Sequence, residues 1–468
     1  MNPASVINGE PASLEEILDA RSLRADRQKE LLKAGGSCLI SFSMNIPGAI
    51  KQFPLAEAAF ETGLSEIRAL IPETSVLTFE ESRKKTGNEA FFLLGSEPQA
   101  VKKAMSGLEE SHPLGRLFDI DVLAGDGRPL SRTELGLPPR TCLVCGENAK
   151  VCARSQAHSM ELVLWRTAQI LNDYFRGLSA DKTAACAVRA LLYEVSSTPK
   201  PGLVDRNNSG SHKDMDFFTF LDSSAALIPW FRDFFCIGWD YGDEPSDAFF
   251  ARLRLAGQKA EAAMFSATGG VNTHKGLIFS FALLCGALGK VCAGNLLAGT
   301  GLPADAAEVF ELCRSLGACS LKDFEGTGKC ATAGEACYTA YKIPGARGEA
   351  AAGFPSARKI GLPALKTHLS SGWPLNDAAV LSLLTLIAEV DDTNMIHRGS
   401  LSAAMDAKKE ARRLLSEISL SDFKETMEQL DQGYIRRNLS PGGCADLLAV
   451  SLLLLFLEDA GLVPEISQ

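Results

Sequence analysis

The sequence predicts two domains, an α+β part followed by an all-α part. Three observations carry this. The chain has 468 residues, and a single core stops growing near ~250–300 residues. Before Leu162, helical periodicity alternates with short apolar, β-leaning runs. From Leu162 onward, Ala/Leu-rich segments at helical spacing follow one another, with few β-branched runs between them.

The elements follow in order. Residues 13–33 alternate apolar and charged positions as a helix does, with Ser13 as N-cap and Glu16 three residues on, a capping-box spacing. Cys38–Met44 reads as a strand, closed by the turn Asn45-Ile46-Pro47-Gly48. Leu55–Leu70 is helical, and Glu89–Leu94 and Arg116–Leu123 are strands, giving an α+β domain with a mixed sheet. A helix ending at Asn172-Asp173-Tyr174-Phe175 meets Asp181 as a new N-cap, so the boundary falls at 178/179. The domains are then 1–178 and 179–468. Helices are predicted at 183–195, 219–235, 275–290, 376–390, 401–416 and 443–457, separated by Gly/Pro loops.

Composition narrows the function. The net charge is −10, with no Lys/Arg-rich run, the wrong sign for a nucleic-acid backbone, so free nucleotides are the better partners. Thirteen cysteines, an odd number scattered through an ordinary core, fit a reducing compartment. Met1–Glu10 has neither the basic stretch nor the apolar core of a signal peptide. The longest apolar run, Leu447–Leu457, would reach only ~16 Å as a helix against a bilayer core of ~30 Å. A cytoplasmic protein without a membrane partner is expected.

Two constellations mark the first domain. Phe118-Asp119-Ile120-Asp121-Val122 puts two carboxylates on one face of a strand and apolar residues on the other. Adjacent carboxylates repel each other, but they suit Mg²⁺ and a triphosphate. His112-Pro113-Leu114-Gly115-Arg116 precedes the pair with a turn and a cation for phosphate. Cys142-x-x-Cys145, Cys152 and His158 then give four soft ligands, a set that suits tetrahedral Zn²⁺. The metal-free reading has Cys152, Arg154 and His158 on a helix, packing and meeting phosphate; both readings stay open.

The run Ser111–Leu123, with Leu130-Ser131-Arg132, Leu137-Pro138-Pro139-Arg140-x-Cys142-Leu143-x-Cys145, Ala149, Cys152-Ala153-Arg154 and His158, resembles the CitX family. Ser41-Phe42 and Pro47-Gly48-x-Ile50-Lys51 extend the match over roughly residues 12–175. These are apo-citrate lyase phosphoribosyl-dephospho-CoA transferases. The resemblance implies attack by a serine hydroxyl of the lyase's acyl carrier (gamma) subunit on the α-phosphoryl of a triphosphoribosyl-dephospho-CoA, with pyrophosphate leaving. A D-x-D pair does this work in nucleotidyltransferases, and a nucleotidyltransferase-like fold is the expectation. No Gly-Ser element precedes the strand, and Asp126 and Glu134 are the candidates for a third carboxylate.

Four polar islands interrupt the helical half. The first, Pro199–Asp216, is a loop that gathers Lys200, Asp205, Arg206, Asn208, His212 and Asp214. The second, Thr268–Gly276, offers Gly270, Asn272, His274, Lys275 and Gly276 at the start of a helix, where backbone N–H groups can meet phosphate. Neither this segment nor Glu325–Cys330 has the spacing of a Walker A loop. The third, Gly345–Glu349, holds Arg347 and Glu349. The fourth, Glu389–Asn394, places Asp391, Asp392 and Asn394 after an apolar helix whose C-terminal dipole disfavours anions, which argues for Mg²⁺.

Glu194–Asp205, Thr268–Gly276, Gly345–Glu349 and Asp392-Thr393-Asn394 together resemble the CitG family, the triphosphoribosyl-dephospho-CoA synthases, over roughly 183–460. The resemblance implies that ATP's ribosyl triphosphate is joined to 3′-dephospho-CoA and adenine is released, so the chain looks like a CitX–CitG fusion. Such chemistry needs a carboxylate base (Asp205, Asp214, Glu349, Asp391 or Asp392), an acid for the purine (His212 or His274), and cations for phosphate (Lys275, Arg206, Arg347). Lys200, Asn208, Gly270, Asn272, Gly276 and Asn394 complete the expected binding set. The competing readings are a Mg²⁺-dependent nucleoside phosphotransferase or hydrolase, and a zinc-stabilised nucleotide-binding adaptor of the citrate lyase system.

Overall fold

The computed structural model describes residues 6–301, 303–322, 333–343 and 345–466; Glu325–Cys330 lies outside them. The chain divides into two compact units, Met1–Gly177 with Asn295–Gly301, and Leu178–Gly294 with Leu302–Gln468.

In the first unit the helix Leu14–Leu32 starts at a full capping box, with Ser13 Oγ accepting from the Glu16 N–H and Glu16 reaching back to the Ser13 N–H. Strands β1 (Cys38–Met44), β2 (Val76–Ser82), β3 (Glu89–Leu94) and β4 (Phe118–Ala124) form one sheet in the order β2-β3-β1-β4. Every pairing is antiparallel, which corrects the mixed sheet expected. The helices Pro54–Leu70 and Pro98–Ser111 each join strands two places apart, and an antiparallel neighbour fills the gap. The result is a split β-α-β-β-α-β arrangement. One sheet face buries Phe42 and Phe118 with Phe60. On the other, Leu39, Phe91, Leu93 and Leu123 meet Leu31 and Leu32 of the first helix.

The helix Met160–Ser196 runs unbroken, so neither a helix end at Phe175 nor an N-cap at Asp181 exists. The buried series Ala168, Leu171, Phe175, Ala180, Ala184, Ala187 and Leu191 continues at helical spacing through the expected break. A single interior glycine, Gly177, costs only about 1 kcal/mol, too little to end such a helix.

Among its described residues the second unit is helical throughout. Leu375–Glu389 packs against Leu362–Ser370, Leu401–Glu417 and Gly442–Asp459. Lys275–Ala298 is long and apolar enough to cross a membrane, but 83% of its apolar window is buried inside the protein.

Candidate active sites

In the first unit the strand register builds the site. Asp119 lies opposite Ser43 and Asp121 opposite Ser41 on β1, while Ser43 faces Glu89 on β3. Directly paired residues share a sheet face, so Asp119, Ser43 and Glu89 form one row. The helix Leu14–Leu32 lays two side chains over it: Arg24 meets Glu89 at 2.6 Å and Ser43 Oγ at 3.4 Å, and Gln28 donates to Ser41 Oγ at 2.9 Å. Crowding by surrounding protein, and then the Asp119 charge, raise the Asp121 carboxyl above its ordinary range.

Neither expected third carboxylate joins this row. Asp126, in the turn after β4, accepts from the Arg128 N–H at 2.9 Å, and Glu134, in the short 3₁₀ helix Thr133–Leu135, pairs with the Arg128 guanidinium at 2.7 Å. Glu89 is the carboxylate that joins the Asp119 row. Its place depends on pairing between strands 46 residues apart in the chain (Ser43 and Glu89), which local spacing does not reveal.

Arg116 precedes β4 and feels the charges of Arg140, Glu109 and Arg132; burial, then Arg140, lowers its pKa. Arg140 donates to the carbonyls of Gly115 (2.9 Å), Arg116 (3.3 Å) and Phe118, and stands 3.8 Å from Asp119. The ligand atoms of Cys142, Cys145, Cys152 and His158 all lie within 4.8 Å of one another. Cys152 and Arg154 are on the helix Ala149–Ser155, and His158 lies beyond its end.

In the second unit the four islands open onto one cleft of about 1170 Å³, large for a single small-molecule site. Lys200, His212, Asn272, His274, Lys275, Gly276, Arg347, Glu349, Asp391, Asp392 and Asn394 all line it. Asp205, Arg206, Asn208, Asp214 and Gly270 do not. Asp205 is buried and spends its carboxylate on its own loop, accepting from Thr198 Oγ1 and from the N–H groups of Lys200, Asn207 and Asn208 at 2.7–3.1 Å. Arg206 donates to the Ser196 carbonyl and to Asn376, and Asn208 donates to Asp431 at 2.8 Å. Asp214 is exposed, 4.0 Å from His212. A side chain at Gly270 would meet nothing within 4 Å, and its φ of +92° gives the glycine a conformational role.

The carboxylates of the acidic pair Asp391-Asp392 have different partners. Asp391 pairs with Lys408. Asp392 is buried and accepts from the N–H groups of Asn394 (2.8 Å), Met395 (2.9 Å) and Cys444 (2.7 Å). It thereby caps the helices Thr393–Arg398 and Gly442–Asp459 together, and two helix N-termini bring positive potential to this carboxylate. The helix before the pair explained only half of this environment.

Lys200 and Glu194 form an ion pair, both buried. Burial raises the Glu194 carboxyl and Lys200 opposes this. Removing one partner strands the other, so Lys200→Met is expected to destabilise the protein by about 3–5 kcal/mol, with Glu194→Gln in the same chain recovering part of it. Denaturant titration reads this directly; a loss under about 1 kcal/mol would mean that water in the cleft solvates the pair.

His274 is buried, and its pKa is pushed down to about 3 by burial and the charge on Lys200. Thr273 Oγ1 donates to Ser223 Oγ at 2.8 Å, and Ser223 Oγ lies 2.7 Å from His274 Nδ1. This chain leaves the ring proton on Nε2, which has no partner among the described residues. Burial and then Arg398 lower His212 as well. At neutral pH, therefore, neither imidazole carries the extra proton expected of an acid for the purine; His274 offers a neutral N–H.

Sequence reasoning missed Asp446. It lines the cleft and accepts no hydrogen bond from the described residues; burial, then the charges of Glu194 and Asp392, raise its pKa well above the ordinary range. A Cβ at residue 276 would sit 2.5 Å from Asp446 Oδ2, so a larger residue would push that carboxylate from its place. Gly276 makes room for a carboxylate at the start of its helix. Asp446 borders the most apolar run of the chain, and that lone charge was the available signal.

Residues 180–463 match the family model for the ATP:dephospho-CoA triphosphoribosyl transferase CitG. Residues 12–174 match the apo-citrate lyase phosphoribosyl-dephospho-CoA transferase CitX. The protein is thus a bifunctional transferase, with one family match in each half. The chain belongs to the family of CitX–CitG fusions, which serve biosynthesis of the citrate lyase prosthetic group. It is 35% identical to Protein CitXG of Haemophilus influenzae over 96% of this chain and 97% of that protein. Protein CitXG of Leuconostoc mesenteroides subsp. cremoris is 34% identical over 95% and 97%. A probable 2-(5″-triphosphoribosyl)-3′-dephosphocoenzyme-A synthase of Streptococcus mutans is 40% identical over 58% of this chain and 95% of its own length.

Proposed function

We propose that the helical cleft joins ATP to 3′-dephospho-CoA and that the sheet of the first unit passes the product to a carrier protein. The observation that carries the first step is the convergence of four islands, spread over 199–394, on one cleft of about 1170 Å³. The 2′-hydroxyl of dephospho-CoA attacks C1′ of ATP's ribose and gives up its proton, the C1′–N9 bond breaks, and adenine leaves with one proton taken up in exchange. Charge builds on the departing base, so a proton donor aids departure. Asp446, whose carboxyl is pushed towards the protonated form by burial and by the charges of Glu194 and Asp392, is the donor in this reading. The neutral Nε2–H of His274 orients the substrate as a hydrogen-bond donor, and Lys275 and Arg347 face the phosphates.

In the second step a serine hydroxyl of the citrate lyase acyl carrier subunit attacks the α-phosphorus and pyrophosphate departs. Asp119 and Asp121, neighbours on the sheet face that also carries Glu89, suit a Mg²⁺ ion; when bound, it would neutralise the triphosphate. Arg116 and Arg140 flank the same strand with positive charge.

Mass spectrometry of ATP plus dephospho-CoA, with and without the apo carrier, tests both steps. Free adenine and the triphosphoribosyl adduct are expected without the carrier, and a mass increase on the carrier with it. ADP or AMP in place of adenine would overturn the reading.

A further inference from the structure

We propose that Cys142, Cys145, Cys152 and His158 bind one structural Zn²⁺ ion, and that this ion holds Arg140 against the carboxylate strand. A tetrahedral site with sulfur at ~2.3 Å and nitrogen at ~2.0–2.1 Å puts neighbouring ligand atoms roughly 3.5–3.8 Å apart. Cys145 Sγ lies 3.5 Å from Cys152 Sγ and 3.3 Å from His158 Nε2, close to that spacing. All four ligand atoms fall within 4.8 Å of one another.

The backbone has the form of a metal knuckle. Thr141 bridges to Asn148 and the Cys142 N–H is bonded to the Glu147 carbonyl, closing a tight turn. The Val144 N–H points at Cys142 Sγ at 3.4 Å, a bond that favours thiolate over thiol. Gly146, just after the second cysteine, has φ +78°, where other side chains are strained. Asn148 then caps the short helix that carries Cys152, and left-handed Gln156 turns the chain back towards His158.

No core holds this segment in place. Not one residue from 131 to 160 is buried, and an ordered excursion without apolar burial needs a covalent or metal staple. A Cys145–Cys152 disulfide would give one link and leave Cys142 and His158 idle, whereas an ion uses all four.

The consequence for Arg140 follows from its position. Its carbonyl accepts the Ala149 N–H at 2.9 Å, within the knuckle, and its side chain reaches the carbonyls before β4 and stands 3.8 Å from Asp119. Loosening the knuckle would release that charge. This second part rests on the transferase reading of the first unit.

The test uses full-length protein produced with zinc in the medium. Elemental analysis should find close to one zinc per chain, lost in Cys142→Ser and kept in Cys152→His, which preserves a ligand. Cobalt-substituted protein should show the visible absorption of tetrahedral cobalt–thiolate. Cys142→Ser should lose transfer to the carrier at least tenfold and leave adenine release unchanged, with the metal-retaining Cys152→His close to the parent protein. Absence of metal with freely titrating thiols, or a Cys145–Cys152 disulfide, would overturn the site. Zinc bound, with transfer unaffected by its loss, would overturn the link to Arg140. Zinc bound in a protein that never modifies the carrier would sink the transferase reading and leave the metal site standing.

Discussion

Replacing Asp119 and Asp121 together by asparagine is expected to cut transfer to the carrier serine by roughly 10³-fold, equivalent to about 4 kcal/mol of barrier. The substitution removes two negative charges and nearly preserves shape. Both carboxylates project from one face of β4 beside Ser41 and Ser43, so the change falls on the face that would hold a metal-bound triphosphate. Stability should not suffer. Asp121 is raised by its surroundings and by Asp119, so neutralising the pair relieves repulsion. Adenine release from ATP should continue at the parent rate, and the triphosphoribosyl intermediate should accumulate. The carboxylates and the helical cleft belong to different compact units, and distant sites act additively. Loss of both activities in folded double mutant would sink the assignment of one step to each unit.

Asp446→Asn should have the opposite effect, with adenine release reduced roughly 10²–10⁴-fold, the span of a lost general acid, and transfer of preformed intermediate intact. An amide cannot deliver the proton, but it fills the same space beside Gly276. The sign of the pH dependence follows from the role. Asp446 has its pKa raised by burial and by Glu194 and Asp392, and an acid acts only while protonated. Adenine release should therefore fall as pH rises through that raised pKa, and the variant should lose this limb of the profile. An ATP analogue whose base departs without protonation should restore much of the variant's rate. A variant that retains the parent pH profile would show that another group supplies the proton.

Much of the fold was legible because it is locally encoded. Ser13 and Glu16 announce a capping box that forms, and Cys38–Met44 and Glu89–Leu94 are strands over the expected residues. The strand Val76–Ser82 escaped notice because it is a half-exposed edge strand carrying Glu80 and Glu81. The expected break near Gly177 failed because packing on one helix face outweighs a single poor helix former.

The residue types and spacings by themselves determined the family, the division into a mixed half and a helical half, the D-x-D face of β4 and the grouping of Cys142, Cys145, Cys152 and His158. The last two depend on neighbours within about twenty residues, a range over which chain geometry is nearly fixed. Only the tertiary structure decided which polar side chains are free to act. Asp205 and Asp392 read as catalytic from their motifs, yet buried N–H groups claim their oxygens. Asp446 and Glu89 attracted no attention, yet folding sets one in the cleft and the other on the carboxylate row. A carboxylate's chemistry is governed by burial and by partners distant in sequence, and those are known only when the chain has folded.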